Sequence, residues 1–168
     1  VSDNPYLSDF YTDMKRWSFN LQIFFLHKRF EMHQKMSASL TSVIQDRTIY
    51  EDLEIFAKNL YRIGKLSQRD WDNYCGLFKV MNFYLKRPDL IIYLKADTDT
   101  LLKRIKKRGR DYESLIDPEY IHTLNISYDR WIESISDQSV VIIETDYFNI
   151  YEDAEAFNNI QKDILKRL

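Results

Sequence analysis

Asp46, Arg47 and Thr48 stand together just after the short β-branched stretch Ser42-Val43-Ile44-Gln45. An acid beside an arginine at a strand end can hold a carboxylate toward a hydroxyl or Mg²⁺ while the guanidinium faces phosphate oxygens. A loop ion pair accounts for the same residues equally well. A second group, Arg104, Arg108 and Arg110 with Lys103, Lys106 and Lys107 among them, carries the end of a helix into a basic loop. Arginines placed there can fold over a nucleotide's phosphates and offset the charge that develops during transfer. The same pattern suits a solvated basic helix face. Gln22 and Arg29 lie seven residues apart, two helical turns along one face. An amide and a guanidinium can read the edge of a base while an aromatic such as Phe56 stacks on its face. Alternatively, Arg29 pairs with an acid such as Asp52 to satisfy a buried polar group, and the two roles are compatible.

The elements that must position these groups follow from periodicity. From Met14 to Met36 the apolar residues Trp17, Leu21, Phe24, Phe25, Phe30 and Met32 crowd nearly the whole circumference of a helix, which must be buried on more than one side. Residues 42–45 read as a strand leading into the polar loop at Asp46. Asp52 to Tyr61 reads as a helix stopped at Gly64. Ser67 opens another, with Trp71, Tyr74, Leu77, Phe78 and Met81 on its apolar face, and Pro88 ends that region. Leu90-Ile91-Ile92-Tyr93-Leu94 and Val140-Val141-Ile142-Ile143-Glu144 are continuous apolar runs of the kind expected in a parallel sheet covered on both faces. Between them, residues 97–100 supply N-cap candidates for one helix and Pro118 starts another that passes Tyr128 and Trp131. An amphipathic helix from Tyr151 to Leu168 closes the chain. Strand, helix, strand, helix is the alternation of an α/β fold with a parallel sheet. Ligands in such sheets gather at the carboxyl ends of the strands, which singles out Asp46-Arg47-Thr48, Ala96-Asp97 and Thr145-Asp146.

Composition narrows the classes. The chain has 168 residues, 45% hydrophobic and 30% charged, with three glycines and three prolines, so disordered and low-complexity readings fall away. Its 24 basic and 26 acidic residues leave a net charge of -2, which gives nucleic-acid binding no support. Cys75 is alone and His27, His33 and His122 are scattered, so neither a disulfide nor a cysteine-based zinc site can be written, and a reducing, cytoplasmic setting fits. No apolar run approaches the ~20 residues of a membrane span. With glycines only at 64, 76 and 109, no G-x-x-x-x-G-K-[ST] or G-x-G-x-x-G motif exists here. The residues show no internal repeat and no linker, and a single domain over 1–168 is expected.

Several long stretches in order resemble the deoxynucleoside kinases, in particular the bacterial deoxyadenosine/deoxyguanosine kinase branch related to deoxycytidine kinase. They are Asn4-Pro5-Tyr6-Leu7, Phe10-Tyr11, residues 15–22, residues 46–52, Arg104 through Arg110 with Glu113, and Thr145-Asp146-Tyr147-Phe148. The resemblance implies a P-loop kinase-like α/β fold, a parallel sheet flanked by helices. It implies that Gln22, Arg29 and Asp52 read the base, that Phe56 stacks on it, and that Tyr11 and Glu113 hold the deoxyribose 3'-hydroxyl. Arg47 would sit by the attacking 5'-hydroxyl and Asp46 would help to organise Mg²⁺, directly or through water. Arg104, Arg108 and Arg110 would close over the phosphates of ATP, and Asp146, Tyr147 and Phe148 would lie in the adenine-binding loop. Transfer of the γ-phosphoryl group to a 5'-hydroxyl in nucleotide salvage follows, with purine deoxynucleosides favoured and Phe25 narrowing the pocket. A homodimer through helices 14–36 and 67–85 is implied as well.

In that family a strand, a P-loop, a helix and a second strand come first, and Val1 matches the last residue of that region. The general-base carboxylate falls just upstream of it. This stretch is therefore expected to be inactive or unstable alone, with the sheet partly uncovered. The competing reading is a non-catalytic structural or interaction relative of the kinase fold, but a scaffold has no physical need for Gln22, Arg29, Arg47, Asp52 and an arginine lid together. A nucleoside-monophosphate kinase fits less well, because Tyr11 and Glu113 suit a free sugar better than a phosphate. The base-reading assignment further expects Arg29 and Asp52 beside a cavity bordered by Gln22 and Phe56.

Overall fold

The computed structural model describes residues 4–110, 113, 115–147 and 153–168. After a short helix α1 (Leu7–Thr12), the helix expected from Met14 forms as α2 (Met14–Ser37), opened by Asp13, whose side chain accepts from Arg16 N at 3.1 Å. Its buried residues Ser18, Leu21, Gln22, Leu26 and His33 fall on one arc, and half-buried aromatics such as Trp17 and Phe19 widen it. Both core clusters use this helix. Leu21 packs with Phe10, Leu60 and Leu66, while Leu26 packs with Ile49, Ala57 and Tyr74.

The helix expected over residues 52–61 begins earlier and is not uniform. It comprises α3 (Ile49–Glu51), a π-helical segment (Asp52–Ala57) and α4 (Lys58–Arg62). Thr48 starts it with a reciprocal cap: its Oγ1 accepts from Tyr50 N at 3.2 Å while Glu51 Oε2 accepts from Thr48 N at 2.8 Å. Gly64, at φ 70°, ends the run in a left-handed conformation. Ser67 then caps α5 (Gln68–Phe83). Trp71, Tyr74, Phe78 and Met81 pack inward as expected, whereas Leu77 is exposed and lies outside both core clusters.

Strand β1 (Leu90–Lys95) leads to α6 (Thr98–Arg108), then α7 (Pro118–Ser134), then β2 (Ser139–Glu144) and α8 (Ala154–Leu165). The strands pair in parallel from Leu90 opposite Ser139 to Lys95 opposite Glu144, and Thr145 N adds a bond to Lys95 O at 2.8 Å. The strand expected at residues 42–45 is absent from this two-stranded sheet. Those residues run outside regular structure with Val43 51% and Ile44 90% exposed, and they pair with neither described strand, so their backbone groups are left to water. Full cover of both sheet faces is also not observed: Val141 and Ile143 are buried on one face, Ile142 on the opposite face is exposed, and Leu94, paired with Ile143, is exposed as well. Asp97 occupies the N-cap position of α6 without a side-chain cap bond. The described part of the last helix starts at Ala154, and Tyr151 lies outside the described residues. Among the described residues, no helix is long and apolar enough to cross a membrane.

Candidate active site

Two pairings organise the candidate residues. The first joins α2 to the π-helical segment. Arg29 Nη1 donates to Asp52 Oδ1 at 2.8 Å and to Oδ2 at 2.9 Å, and Asp52 is almost wholly buried. The guanidinium also lies over Phe25, 5.0 Å from the ring centroid. Burial raises the Asp52 carboxyl from 3.8 to about 6, because lost hydration outweighs the attraction and hydrogen bonding of Arg29 that pull it down. Gln22, on the same face of α2, is buried and its Oε1 has no hydrogen-bond partner among the described residues. A buried amide left open costs roughly 1 to 3 kcal/mol unless a ligand or water meets it.

Tyr74 enters the same neighbourhood from α5. Its hydroxyl is buried without a hydrogen-bond partner among the described residues, and burial together with the negative charge of Asp52 pushes its acidity far down. Sequence reading placed Tyr74 on an apolar face and missed this polar end. The available signal was the residue type, since a tyrosine in a core carries a hydroxyl that needs an explanation.

Phe56 sits within the π-helical segment, four residues beyond Asp52. Arg47 lies over its ring at 4.9 Å from the centroid, and Tyr128 of α7 meets it edge-on at 6.2 Å and 83°. Tyr128 in turn stacks on Tyr93 of β1 at 5.9 Å. Asp46 is exposed and makes no hydrogen bond or ion pair among the described residues, so the expected Asp46–Arg47 alternative of a loop ion pair does not form. Tyr11 packs edge-on against Phe10 at 5.1 Å. Burial raises the hydroxyl of Tyr120 of α7 above its usual range, with Tyr11 adding to the rise and Arg47 opposing it.

The second pairing closes the basic loop after α6. Arg108 Nη2 meets Glu113 Oε1 at 2.6 Å and its Nε meets Oε2 at 3.1 Å, with Arg110 3.5 Å from the same carboxylate. Glu113 is buried, so the arginines expected over phosphate and the acid expected on the sugar are here bound to each other. Gly109, at φ 64°, makes the turn between them possible. Arg104 instead binds the end of β2, donating to Thr145 Oγ1 at 2.9 Å and to the Thr145 carbonyl. Asp146 Oδ1 accepts from Asp97 N at 2.9 Å, joining the carboxyl ends of β1 and β2. A hydrogen bond from Thr100, then that from the Asp97 backbone, holds its carboxyl below the usual range. Tyr147 is exposed, and Phe148 lies outside the described residues.

A cavity of about 460 Å³ lies beside the loop, lined by residues including Leu102, Ile105, Arg110 and Glu113. Another, of about 310 Å³, is lined by residues including Met14, Asn59, Lys65 and Tyr120. Neither is lined by Gln22, Arg29, Asp52 or Phe56. The Phe56 ring carries the Arg47 guanidinium. No group of three or more His, Cys, Asp or Glu side chains suited to a metal occurs among the described residues.

Comparison with known proteins gives a consistent result. A family model described as deoxynucleoside kinase matches residues 1–168. The chain is 37% identical over 166 residues to a deoxyadenosine/deoxycytidine kinase of Bacillus subtilis, covering 98% of the chain and 76% of that protein. It is 43% identical over 136 residues to a deoxyadenosine kinase of Dictyostelium discoideum, covering 81% of the chain but only 55% of the relative. Among solved structures, that of a deoxyadenosine kinase from M. mycoides with bound dATP superposes with a TM-score of 0.82 at 32% identity, over 98% of this chain and 82% of that one.

Proposed function

The chain belongs to the deoxynucleoside kinase family, and from that premise we propose that its residues serve the transfer of the γ-phosphoryl group of ATP to the 5'-hydroxyl of a purine deoxynucleoside, deoxyadenosine first. The observation that carries the proposal is the buried Arg29–Asp52 pair with the open Gln22 Oε1 near it on α2. A charged pair of this kind suits a base that both donates and accepts, and the names of the similar proteins point the same way.

In this reading Gln22, Arg29 and Asp52 read the base edge and Phe56 stacks on its face. Tyr11 and Glu113 hold the 3'-hydroxyl, fixing the sugar so that its 5'-oxygen is aimed along the transfer line. Arg47 stands by the 5'-oxygen and the transferring group. Arg104, Arg108 and Arg110 supply cations for the ATP phosphates, with Arg108 and Arg110 exchanging part of their contact with Glu113 for phosphate oxygens. Asp146 and Tyr147, with Phe148, form the loop against the adenine of ATP. Asp46 suits Mg²⁺ as a single carboxylate without a competing partner, direct or through water. Bound there, the ion would neutralise β- and γ-phosphate charge. Lid closure keeps water from acting as acceptor.

Residues 1–168 belong in this reading to one kinase domain, in the cytoplasm and in nucleotide salvage, that works as a homodimer through helices 14–36 and 67–85. The test is ATP-dependent turnover over deoxyadenosine, deoxyguanosine, deoxycytidine and thymidine, measured on the protein carrying this chain. Purines should give the highest kcat/KM; thymidine as the best acceptor would refute the assignment of Arg29 and Asp52.

A further inference from the structure

We propose that Arg47 is a base-displaced positioning residue: it covers the ring of Phe56 while no nucleoside is bound, and an arriving base drives it off toward the phosphoryl site. This rests on the reading of Phe56 as the stacking platform given above. The guanidinium carbon lies 4.9 Å from the Phe56 centroid, within cation–π range. Arg47 makes no hydrogen bond or ion pair among the described residues, so the ring holds a cation with its donors otherwise uncommitted. That contact is weak and exchangeable.

Backbone conformation adds a second observation. Arg47 has φ 63°, and it is the one residue other than glycine with positive φ among those described. The left-handed region is disfavoured for an L side chain by contact between Cβ and the carbonyl oxygen. The reciprocal cap between Thr48 and Glu51, immediately after it, pins the chain there. Strain of this sort at a candidate site motivates a functional hypothesis.

The platform itself is fixed. Phe56 meets Tyr128 edge-on, and Tyr128 stacks on Tyr93 of β1, so the ring is tied through Tyr128 to the sheet while Arg47 is exposed. A flat base can therefore replace the cation without moving the ring. Displacement costs the same for every base that stacks, so it lowers affinity uniformly. In return, the cation is freed for the 5'-oxygen and transferring phosphoryl group only when an acceptor is present.

Calorimetry on wild type, Arg47→Ala and Arg47→Gly tests this, with deoxyadenosine and with methyl 2-deoxyriboside as a sugar without a base. Glycine adopts positive φ freely, so the second variant keeps the backbone conformation unstrained. Both variants should bind deoxyadenosine about two- to fivefold more tightly than wild type, the factor equivalent to an exposed cation–π contact. They should show no gain for the sugar alone and should lose turnover. A residue that simply contacts the nucleoside would give the opposite sign. Unchanged or weaker deoxyadenosine binding in the variants, with binding by wild type intact, overturns this inference alone. Wild type that binds no deoxynucleoside overturns the base-site reading and this inference with it.

Discussion

Burial gives Asp52 a protonation balance unusual for an aspartate, with its carboxyl at about 6 even though Arg29 is bonded to it. Below that value the free protein carries a proton on Asp52. A base that donates an N–H to the carboxylate requires the ionised form, so the proton must leave on binding. The dissociation constant for deoxyadenosine should be flat above about pH 6 and rise below it, approaching tenfold per pH unit. Calorimetry in buffers of different ionisation heat should register the released proton, and affinity that stays flat down to about pH 5 would remove Asp52 from the base. The effect on folding has its own sign. Because the folded value lies above the ordinary 3.8, the native chain binds more protons than the unfolded chain between the two values, and this residue's contribution to stability falls as pH rises through that interval. Glu113 supports a second prediction. A hydrogen bond to a charged acceptor amounts to roughly 1.5 to 3 kcal/mol. Glu113→Ala should therefore abolish most of the advantage of deoxyadenosine over its 3'-deoxy analogue in kcat/KM, and a retained advantage would exclude Glu113 from the sugar.

At the scale of elements, the reciprocal cap at Thr48 sets where the π-helical segment begins and so where Asp52 and Phe56 point. Thr48→Ala should cost about 1 kcal/mol and lower the thermal midpoint by roughly 2 to 4 °C, measured by circular dichroism. No change would mean that the cap is dispensable. The helices at 14, 67, 98 and 118 were legible because caps, prolines and apolar spacing agree over many residues. Both strands were legible as unbroken β-branched runs. Residues 42–45 were misread because β character says nothing about whether the chain there reaches a partner strand. The π-helical segment was illegible too, since over six residues its wider turn leaves no periodic mark distinct from an α-helix. Within the site, Arg29 and Asp52 could be paired in advance because a buried cation on an apolar helix demands an acid. Arg104 with Thr145 and Arg47 on Phe56 could not, because both contacts depend on how separate elements meet.

Across the whole molecule, apolar surface is distributed unevenly. Val80, Phe83 and Tyr84 at the end of α5 are 63%, 83% and 67% exposed, and Met32 of α2 is 48% exposed. Apolar side chains left in water on the two helices favour burial against a second copy. Sedimentation should find a dimer at micromolar concentration and a monomer for Phe83→Glu; a monomeric wild type would contradict the expected contact. Two roles compete for the buried pair that links α2 to the π-helical segment, gripping a base or joining helices. Replacing both partners with apolar residues separates them, since a buried ion pair can often be exchanged for well-packed side chains with little loss of stability. Deoxyadenosine binding to Arg29→Met/Asp52→Leu, measured beside its thermal midpoint, is the most direct test. The predicted result is a midpoint within a few degrees of wild type, by roughly the scale of 1 kcal/mol, with binding lost; a folded double variant that binds deoxyadenosine as tightly as wild type would contradict it.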